Sequence, residues 1–357
     1  MVFYVLLVVV FVCFFLVAYK HPTTEKDVSL TLLGIIILIG GFRDRIGWDY
    51  YSYTNWYLNG TRDDGLEFGF LGIMQVFRYF NLDYHFLFFF FSFFTYLFAY
   101  LGIRKYTKNS SLPIVLYVLI PVLFLYSFTY MRQFLSVAIA FYAFSFLLDK
   151  KYLGYFLLMF VGTSIHYSCL IPFFFFLIVH KWGIFVKSYY LYLLMGATFI
   201  MGQVGIIHWL GLLFKDSHYL LYVSTKLAVS VPLLKLLVIN TMGFLVINYY
   251  DKYGFQNHNQ KYLLLLYVSS ILILNLFSES TELTRLYIYF RIFEILLVAE
   301  LIYVALENKR FWFMSFVCCF YLLPYFRAIN IDYERAPENL KLIPYKSLLF
   351  KKTEIDD

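Results

Sequence analysis

Long apolar runs separated by short polar loops dominate the chain from its first residues. They lie at about 1–19, 28–42, 84–103, 112–130, 133–148, 152–167, 168–180, 189–203, 232–250, 262–277, 286–306 and 311–326. A helix rises 1.5 Å per residue, so roughly 20 apolar residues cross a hydrocarbon core about 30 Å thick. The runs therefore predict an all-α integral membrane protein, a polytopic helical bundle of about twelve spans, several of them short. Segments 66–82 and 204–222 are amphipathic and too short or too polar to span, so they are expected to lie as short helices in the outer interface or to dip into an outward-facing cavity. The first run has no basic stretch before it and no small-residue cleavage site, and it reads as a retained span rather than a signal peptide. No repeat and no Pro-rich or Ser-rich linker divides the chain. One membrane domain over 1–328 is expected, followed by a polar tail over 329–357.

Composition strengthens this picture. Of the 357 residues 62% are hydrophobic and 14% charged, against about 25% charged in soluble domains, which excludes a water-soluble fold. Cys13, Cys169, Cys318 and Cys319 all sit inside apolar runs with no CxxC spacing, so neither a disulfide framework nor a zinc site is indicated. The excess of Phe and Tyr reads as lipid-facing bulk, with ring stacking on sugars as the alternative.

The net charge of +7 changes the picture only when divided by side. The loops at 20–27, 104–111, 149–151, 181–188, 251–261 and 307–310 alternate along the chain and each is basic, so they face the cytoplasm and both termini lie outside. The inner loops hold thirteen basic residues, of which eleven are Lys. The outer set holds nine of the eleven arginines: Arg43, Arg45, Arg62, Arg78, Arg132, Arg285, Arg291, Arg327 and Arg335. Topology needs only positive charge, whereas Arg grips phosphate with a planar fork of donors. Arginines gathered on the side that topology disfavours point to an anionic ligand; the alternative is that they pair with outer carboxylates such as Asp44, Asp49, Glu67 and Glu282.

Four constellations carry candidate chemistry. In Phe42-Arg43-Asp44-Arg45-Ile46-Gly47-Trp48-Asp49-Tyr50-Tyr51-Ser52-Tyr53, directly after the second run, Gly47 allows a tight turn, Asp49 serves as base or orienter, and Tyr50 and Tyr53 offer stacking faces. An interfacial aromatic belt with snorkelling arginines is the bland reading. Arg132 and Gln133 open the fifth run, where free backbone N–H groups and the helix dipole already favour a diphosphate; otherwise Arg132 marks only an outer boundary. Ser164-Ile165-His166-Tyr167-Ser168 forms an outer corner in which His166 can take a proton from a hydroxyl, or can be a hydrogen-bonded structural residue. His208, His218 and His258 are weaker candidates. Glu279, Glu282 and Arg285 lie in the last outer corner, and Arg291 and Glu294, three residues apart inside a span, suit an ion pair as well as a ligand.

The chain has no P-loop, GxSxG, HExxH or Asp-x-Asp sequence, which removes support for nucleotide hydrolysis, serine esterase, zinc protease and metal-dependent sugar-nucleotide transferase activities.

The run Phe42-Arg43 … Gly47 … Asp49-Tyr50 … Tyr53, the Arg132-Gln133 pair at a helix start and Ile165-His166-Tyr167-Ser168 resemble, in order and spacing, the EpsG-like family of polysaccharide polymerases, relatives of Wzy-type O-antigen polymerases. The resemblance covers roughly residues 1–300, and Trp48 and the tail from Ile329 are poorly constrained by it. It implies a GT-C-like bundle in the bacterial inner membrane that joins oligosaccharide units carried on undecaprenyl diphosphate at the periplasmic face. It implies no cofactor, no metal and no nucleic acid, with the lipid bilayer and a chain-length regulator protein as further partners. Arg132 with Arg43 or Arg45, seconded by Arg285, would hold the departing diphosphate, and Asp49 or His166 would be the base. Tyr50, Tyr53, Gln133, Tyr167 and Arg291 complete the expected substrate-binding set. A flippase or other transporter of the same lipid-linked glycan needs cations too, but along a path through the midplane. Another transferase at the same face, such as an O-antigen ligase, differs only in its acceptor.

Overall fold

The computed structural model describes residues 1–60, 65–205, 231–255 and 258–350. Arg62, His208, His218 and nearly all of the segment 204–222 lie outside the described residues. In chain order the main helices are α1 (Val2–Lys20), α2 (Glu25–Gly41), α3 (Tyr50–Asn59), α4 (Phe68–Tyr79), α5 (Tyr84–Tyr106), α6 (Ser111–Leu119), α7 (Pro121–Phe124), α8 (Met131–Leu148), α9 (Tyr152–Ile165), α10 (Leu170–Trp182), α11 (Ser188–Gln203), α12 (Leu233–Tyr253), α13 (His258–Leu276), α14 (Glu294–Glu307) and α15 (Phe311–Arg335). An isolated bridge between Arg43 and Ser347 is the one piece of strand-like pairing among the described residues.

Each of the twelve apolar runs carries helix. Among the described residues four helices, α1, α5, α8 and α12, are long and apolar enough to cross a bilayer, and a fifth crossing exists if the bent pair over Ser111–Leu119 and Pro121–Phe128 counts as one. That run bends by 85°, because Pro121 has no N–H to continue the ladder from α6. The 286–306 run is likewise broken, with α-helix at Ile288–Arg291 and again only from Glu294. Helix α10, with 13 residues, reaches about 20 Å at 1.5 Å per residue, short of a full crossing.

The chain forms two compact units, Met1–Leu170 with Arg310–Asp357, and Ile171–Lys309. In the first, α5 packs between α2 and α8, and α9 lies against α8. Helix α8 is therefore buried along nearly its whole length, while α1 packs on α2 and α6 and leaves Leu6, Val9 and Leu16 exposed. Such an apolar outer face is stable only against lipid. At one end an aromatic layer joins Tyr50, Tyr53 and Tyr57 of α3 to Phe70 of α4, Phe88 and Phe91 of α5 and Met131 of α8. Apolar burial of this kind is worth roughly 25 cal/mol per Å², and it fixes α3 and α4 to the bundle.

The segment after α15 is not a free appendage. Asp44 donates its backbone N–H to Lys346 O at 3.0 Å, Leu348 donates to Phe42 O at 2.9 Å, and Gly47 donates to Leu340 O at 3.3 Å. The tail thus runs along the 42–47 turn, and Tyr345 adds a hydrogen bond from its hydroxyl to Ile39 O at 2.6 Å. In the second unit, α13 is central and contacts α11, α12 and α14.

Candidate functional site

Helix α2 ends at Gly41, and the turn that follows is built to hold its shape. Gly47 has φ +104°, and a Cβ there would overlap the Phe128 carbonyl, so no other residue fits. Arg43, expected to face substrate, is 1% exposed. It donates to Gly40 O, to Ser92 Oγ at 3.0 Å and to Phe128 O at 3.3 Å, with the Phe88 and Phe128 rings 5.1 and 5.4 Å from its Cζ. Two of these acceptors are the protein's own carbonyls, with Gly40 O at the negative end of α2, and together the contacts lock the turn against α5 and the segment before α8. Arg45 is the exposed member of the pair, with Nε 3.9 Å from Asp44 Oδ1. Asp49 sits at the N-cap of α3 with no side-chain cap bond. Tyr50 donates its hydroxyl to Asp44 Oδ1 at 3.2 Å, and Tyr53 is buried in the aromatic layer.

The centre of the polar chemistry is a residue that the sequence offered only as a pairing partner for arginines. Glu67 is the N-cap of α4, yet its side chain makes no cap bond to its own helix. It turns instead to two distant partners. Arg132 Nη1 donates to Glu67 Oε2, while His166 Nδ1 lies 2.7 Å from Oε1 and the Tyr167 backbone N–H 3.4 Å from the same atom. The reach to His166 depends on close packing of α4 on the end of α9: a Cβ on Gly69 would lie 2.6 Å from Ser164 O, so only glycine allows this approach.

The side chains of Glu67, Arg132 and His166 are 5%, 17% and 26% exposed. Burial pushes the Glu67 carboxyl up, but the hydrogen bond from His166 and the Arg132 charge outweigh it and hold it below the usual glutamate value. Glu67 is therefore an ionised acceptor, so His166 Nδ1 carries the proton and Nε2 keeps the free lone pair in the neutral ring. Arg132 is boxed by Tyr53, Trp56 and Phe70, whose ring centroids lie 5.8, 5.3 and 5.1 Å from its Cζ. That box holds a guanidinium by cation–π attraction and aims it from the first turn of α8, where Gln133 is also buried. Tyr167, beside His166, is exposed.

Of the expected site residues, the structure brings Arg132, His166, Tyr53 and the Tyr167 backbone together around Glu67, and places Arg45, Tyr50 and Asp44 in a neighbouring group on the same unit. Arg285 and Arg291 belong to the second unit. Arg285 pairs with Glu282 at 2.8 Å, both partly exposed. Arg291 pairs with Glu294 in the buried interior, the ion-pair outcome that their spacing permits. The pairing of outer arginines with carboxylates is thus present at Arg45, Arg132, Arg285 and Arg291. Arg78 takes a third course, donating to the Tyr57 carbonyl at 2.7 Å and to that of Trp56 at the C-terminal turn of α3.

No match is found among curated proteins or among solved structures. A family model, described as the EpsG family, matches residues 28–347. The match takes in the 42–50 turn, Glu67, Arg132, His166 and the tail as far as Ser347, and so extends beyond the 1–300 stretch that carries the resemblance in sequence. The chain belongs to the EpsG family.

Proposed function

We propose that the protein polymerises polysaccharide repeat units at the periplasmic face of the bacterial inner membrane, as a GT-C-like bundle of about twelve spans. It transfers a glycan from undecaprenyl diphosphate to a hydroxyl of an incoming unit carried on the same lipid. Residues 1–328 provide the bundle, the tail from 329 supports it, and a chain-length regulator protein is a further partner. The observation that carries this reading is the fork of Glu67, whose two oxygens hold Arg132 and His166 side by side at the start of α8. Membership of the EpsG family supports a polysaccharide as the substrate class.

Such a transfer needs a cation where negative charge develops on the leaving diphosphate, and preorganised donors of this kind contribute about 10²–10³ in rate each. Arg132 meets the diphosphate from a helix start whose free N–H groups add to the attraction. His166 shares a carboxylate with Arg132 and therefore acts at the same end of the substrate. Arg45, exposed on the 42–50 turn, is a secondary diphosphate contact. Arg43 and Arg291 shape the protein instead. In a single displacement the attacking hydroxyl and the departing diphosphate lie on opposite faces of the donor sugar, so the base comes from the other side of α3, where Asp49 is the sequence candidate.

The test is deletion of the gene with complementation by variants, read as the length ladder of the surface glycan on a gel. Deletion leaves a single-unit band, wild type restores the ladder, and Arg132→Ala reaches the membrane without restoring it. A full ladder from Arg132→Ala removes that residue from the mechanism. Complete loss of the glycan on deletion points to a flippase or ligase.

A further inference from the structure

A second histidine, passed over in the sequence because it lies in no motif, is set up more like a base than any other group near the 42–50 turn. Asp83 caps α5 by accepting the backbone N–H of His85 at 2.8 Å, and the same oxygen lies 2.5 Å from His85 Nδ1. In the neutral imidazole, an Nδ1–H donated to Asp83 leaves Nε2 as the acceptor nitrogen. His85 Nε2 is buried and has no hydrogen-bond partner. It points at Asp44 Oδ1 across 3.9 Å.

That gap is chemically informative. It is too long for a direct hydrogen bond, and a lone pair facing a carboxylate oxygen is repulsive unless a proton lies between them. One hydroxyl oxygen at an ordinary distance of about 2.8 Å reaches both atoms. The surroundings suit a sugar: the Tyr84 ring packs on His85 with centroids 4.0 Å apart, and the Tyr50 hydroxyl and Arg45 Nε also lie at Asp44. Capping α5 explains the backbone contact to Asp83 but gives no reason for the ring to be pinned with Nε2 facing a carboxylate.

The base side and the phosphate side are linked through one aromatic face. Tyr50 stacks on Phe88 at 4.5 Å between centroids, and Tyr53, one turn along α3, meets the same ring edge-on at 6.4 Å. Tyr53 in turn lies 5.8 Å from Arg132 Cζ.

We infer that His85 is the catalytic base for the acceptor hydroxyl, with Asp83 orienting the ring and Asp44 facing the imidazolium that forms. The inference rests on the reading of Arg132 as the diphosphate ligand. In the step, His85 Nε2 takes the acceptor proton and the freed oxygen pair forms the new bond to the anomeric carbon. The anomeric bond to the diphosphate oxygen breaks, its electron pair leaves with undecaprenyl diphosphate, and His85 returns its proton to water. An imidazole suits this task near neutral pH better than Asp49, since carboxylates are ordinarily far weaker bases.

The experiment uses the full-length protein in lipid nanodiscs. Undecaprenyl diphosphate is the binding probe, and lipid-linked repeat units extracted from a deletion strain are the transfer substrate. His85→Gly is expected to bind the probe within about threefold of wild type and to lose transfer by about 10²–10⁴-fold, the usual contribution of a general base, with added imidazole restoring part of the rate. His85→Gln, which fills the site without basicity, is expected to lose as much and gain nothing from imidazole. Transfer by His85→Gln within about threefold of wild type overturns the inference, as does a His85→Gly protein that binds the probe but is not rescued. If wild type carries out transfer yet fails to bind the probe, the diphosphate reading fails, and the assignment of His85 still stands or falls on the rescue.

Discussion

Two buried polar clusters, one in each unit, are built in opposite ways. In the second unit one pair is reciprocal: Asn240 and Asn275 exchange side-chain hydrogen bonds at 2.7 and 2.9 Å between α12 and α13. Glu300 accepts from Tyr250 and Gln260 at 2.8 and 2.7 Å. In the first unit one carboxylate, Glu67, serves two unlike partners, and both are left with further capacity: His166 has a second ring nitrogen and Arg132 has an Nε with no hydrogen-bond partner. An ionisable group within a membrane protein is thus not by itself a site. The Glu67 fork differs from the Asn240–Asn275 pair in leaving donors and acceptors that a ligand can use.

The sharpest way to break this contrast is to remove one member from each unit. Arg132→Ala should reduce transfer about 10³-fold, or roughly 4 kcal/mol of transition-state stabilisation at 1.36 kcal/mol per decade, with a glycan ladder or a nanodisc assay as the check. It also leaves Glu67 without its cation, and losing one partner of a buried pair costs about 3–5 kcal/mol. Protein level in the membrane must therefore be measured alongside. Glu67→Gln should cost less, about 10²-fold, because Arg132 stays in its aromatic box while His166 keeps only a neutral amide oxygen in place of the carboxylate. Equal losses from Ala at 132 and Gln at 67 would show that the two act as one unit rather than as ligand and holder.

A pH scan sharpens the same comparison. The Glu67 carboxyl is held below its usual value in the folded protein, so its stabilisation is fully present above the ordinary glutamate pKa of about 4.3 and is lost as pH falls through the lower folded value. Wild type in detergent should lose thermal stability on acidification in that window, and Glu67→Gln should lack this part of the loss. The smallest effect is expected in the second unit. Asn240→Ala should lower stability by about 0.6–2 kcal/mol, typical of interhelical polar contacts in membranes, with transfer within twofold of wild type. A large loss of transfer there would remove the distinction between closed and open pairs.

How much of this was legible in the sequence follows from how far apart the partners lie. The helices were, because each apolar run is local. Their interruptions were less so: the 85° bend needs Pro121, which reads equally as a helix start, and the break after Arg291 has no sequence marker. Arg132 and His166 were visible as polar residues at helix ends, but Glu67 binds them across 65 and 99 residues, a pairing that no local pattern encodes. A carboxylate directly before an amphipathic helix reads as a cap, and only its failure to cap reveals the tertiary role. Asp83 and His85 were hidden by the same ambiguity. Arg43 shows the reverse case. Its position among arginines and tyrosines suggested a ligand contact, yet burial and three oxygen acceptors place it within the protein's own framework. The tail was unreadable because its contacts to the 42–47 turn run mainly through backbone groups and so leave little signature in residue type.

The central claim, that Arg132 on its Glu67 fork is where the diphosphate binds, is tested most directly by measuring undecaprenyl diphosphate binding to wild type, Arg132→Ala and Asn240→Ala in nanodiscs. The account predicts that the Arg132 variant loses at least about thirtyfold in affinity, in line with roughly 2 kcal/mol for a charge-assisted contact, while the Asn240 variant binds as wild type does. Equal affinity in Arg132→Ala and wild type would contradict it.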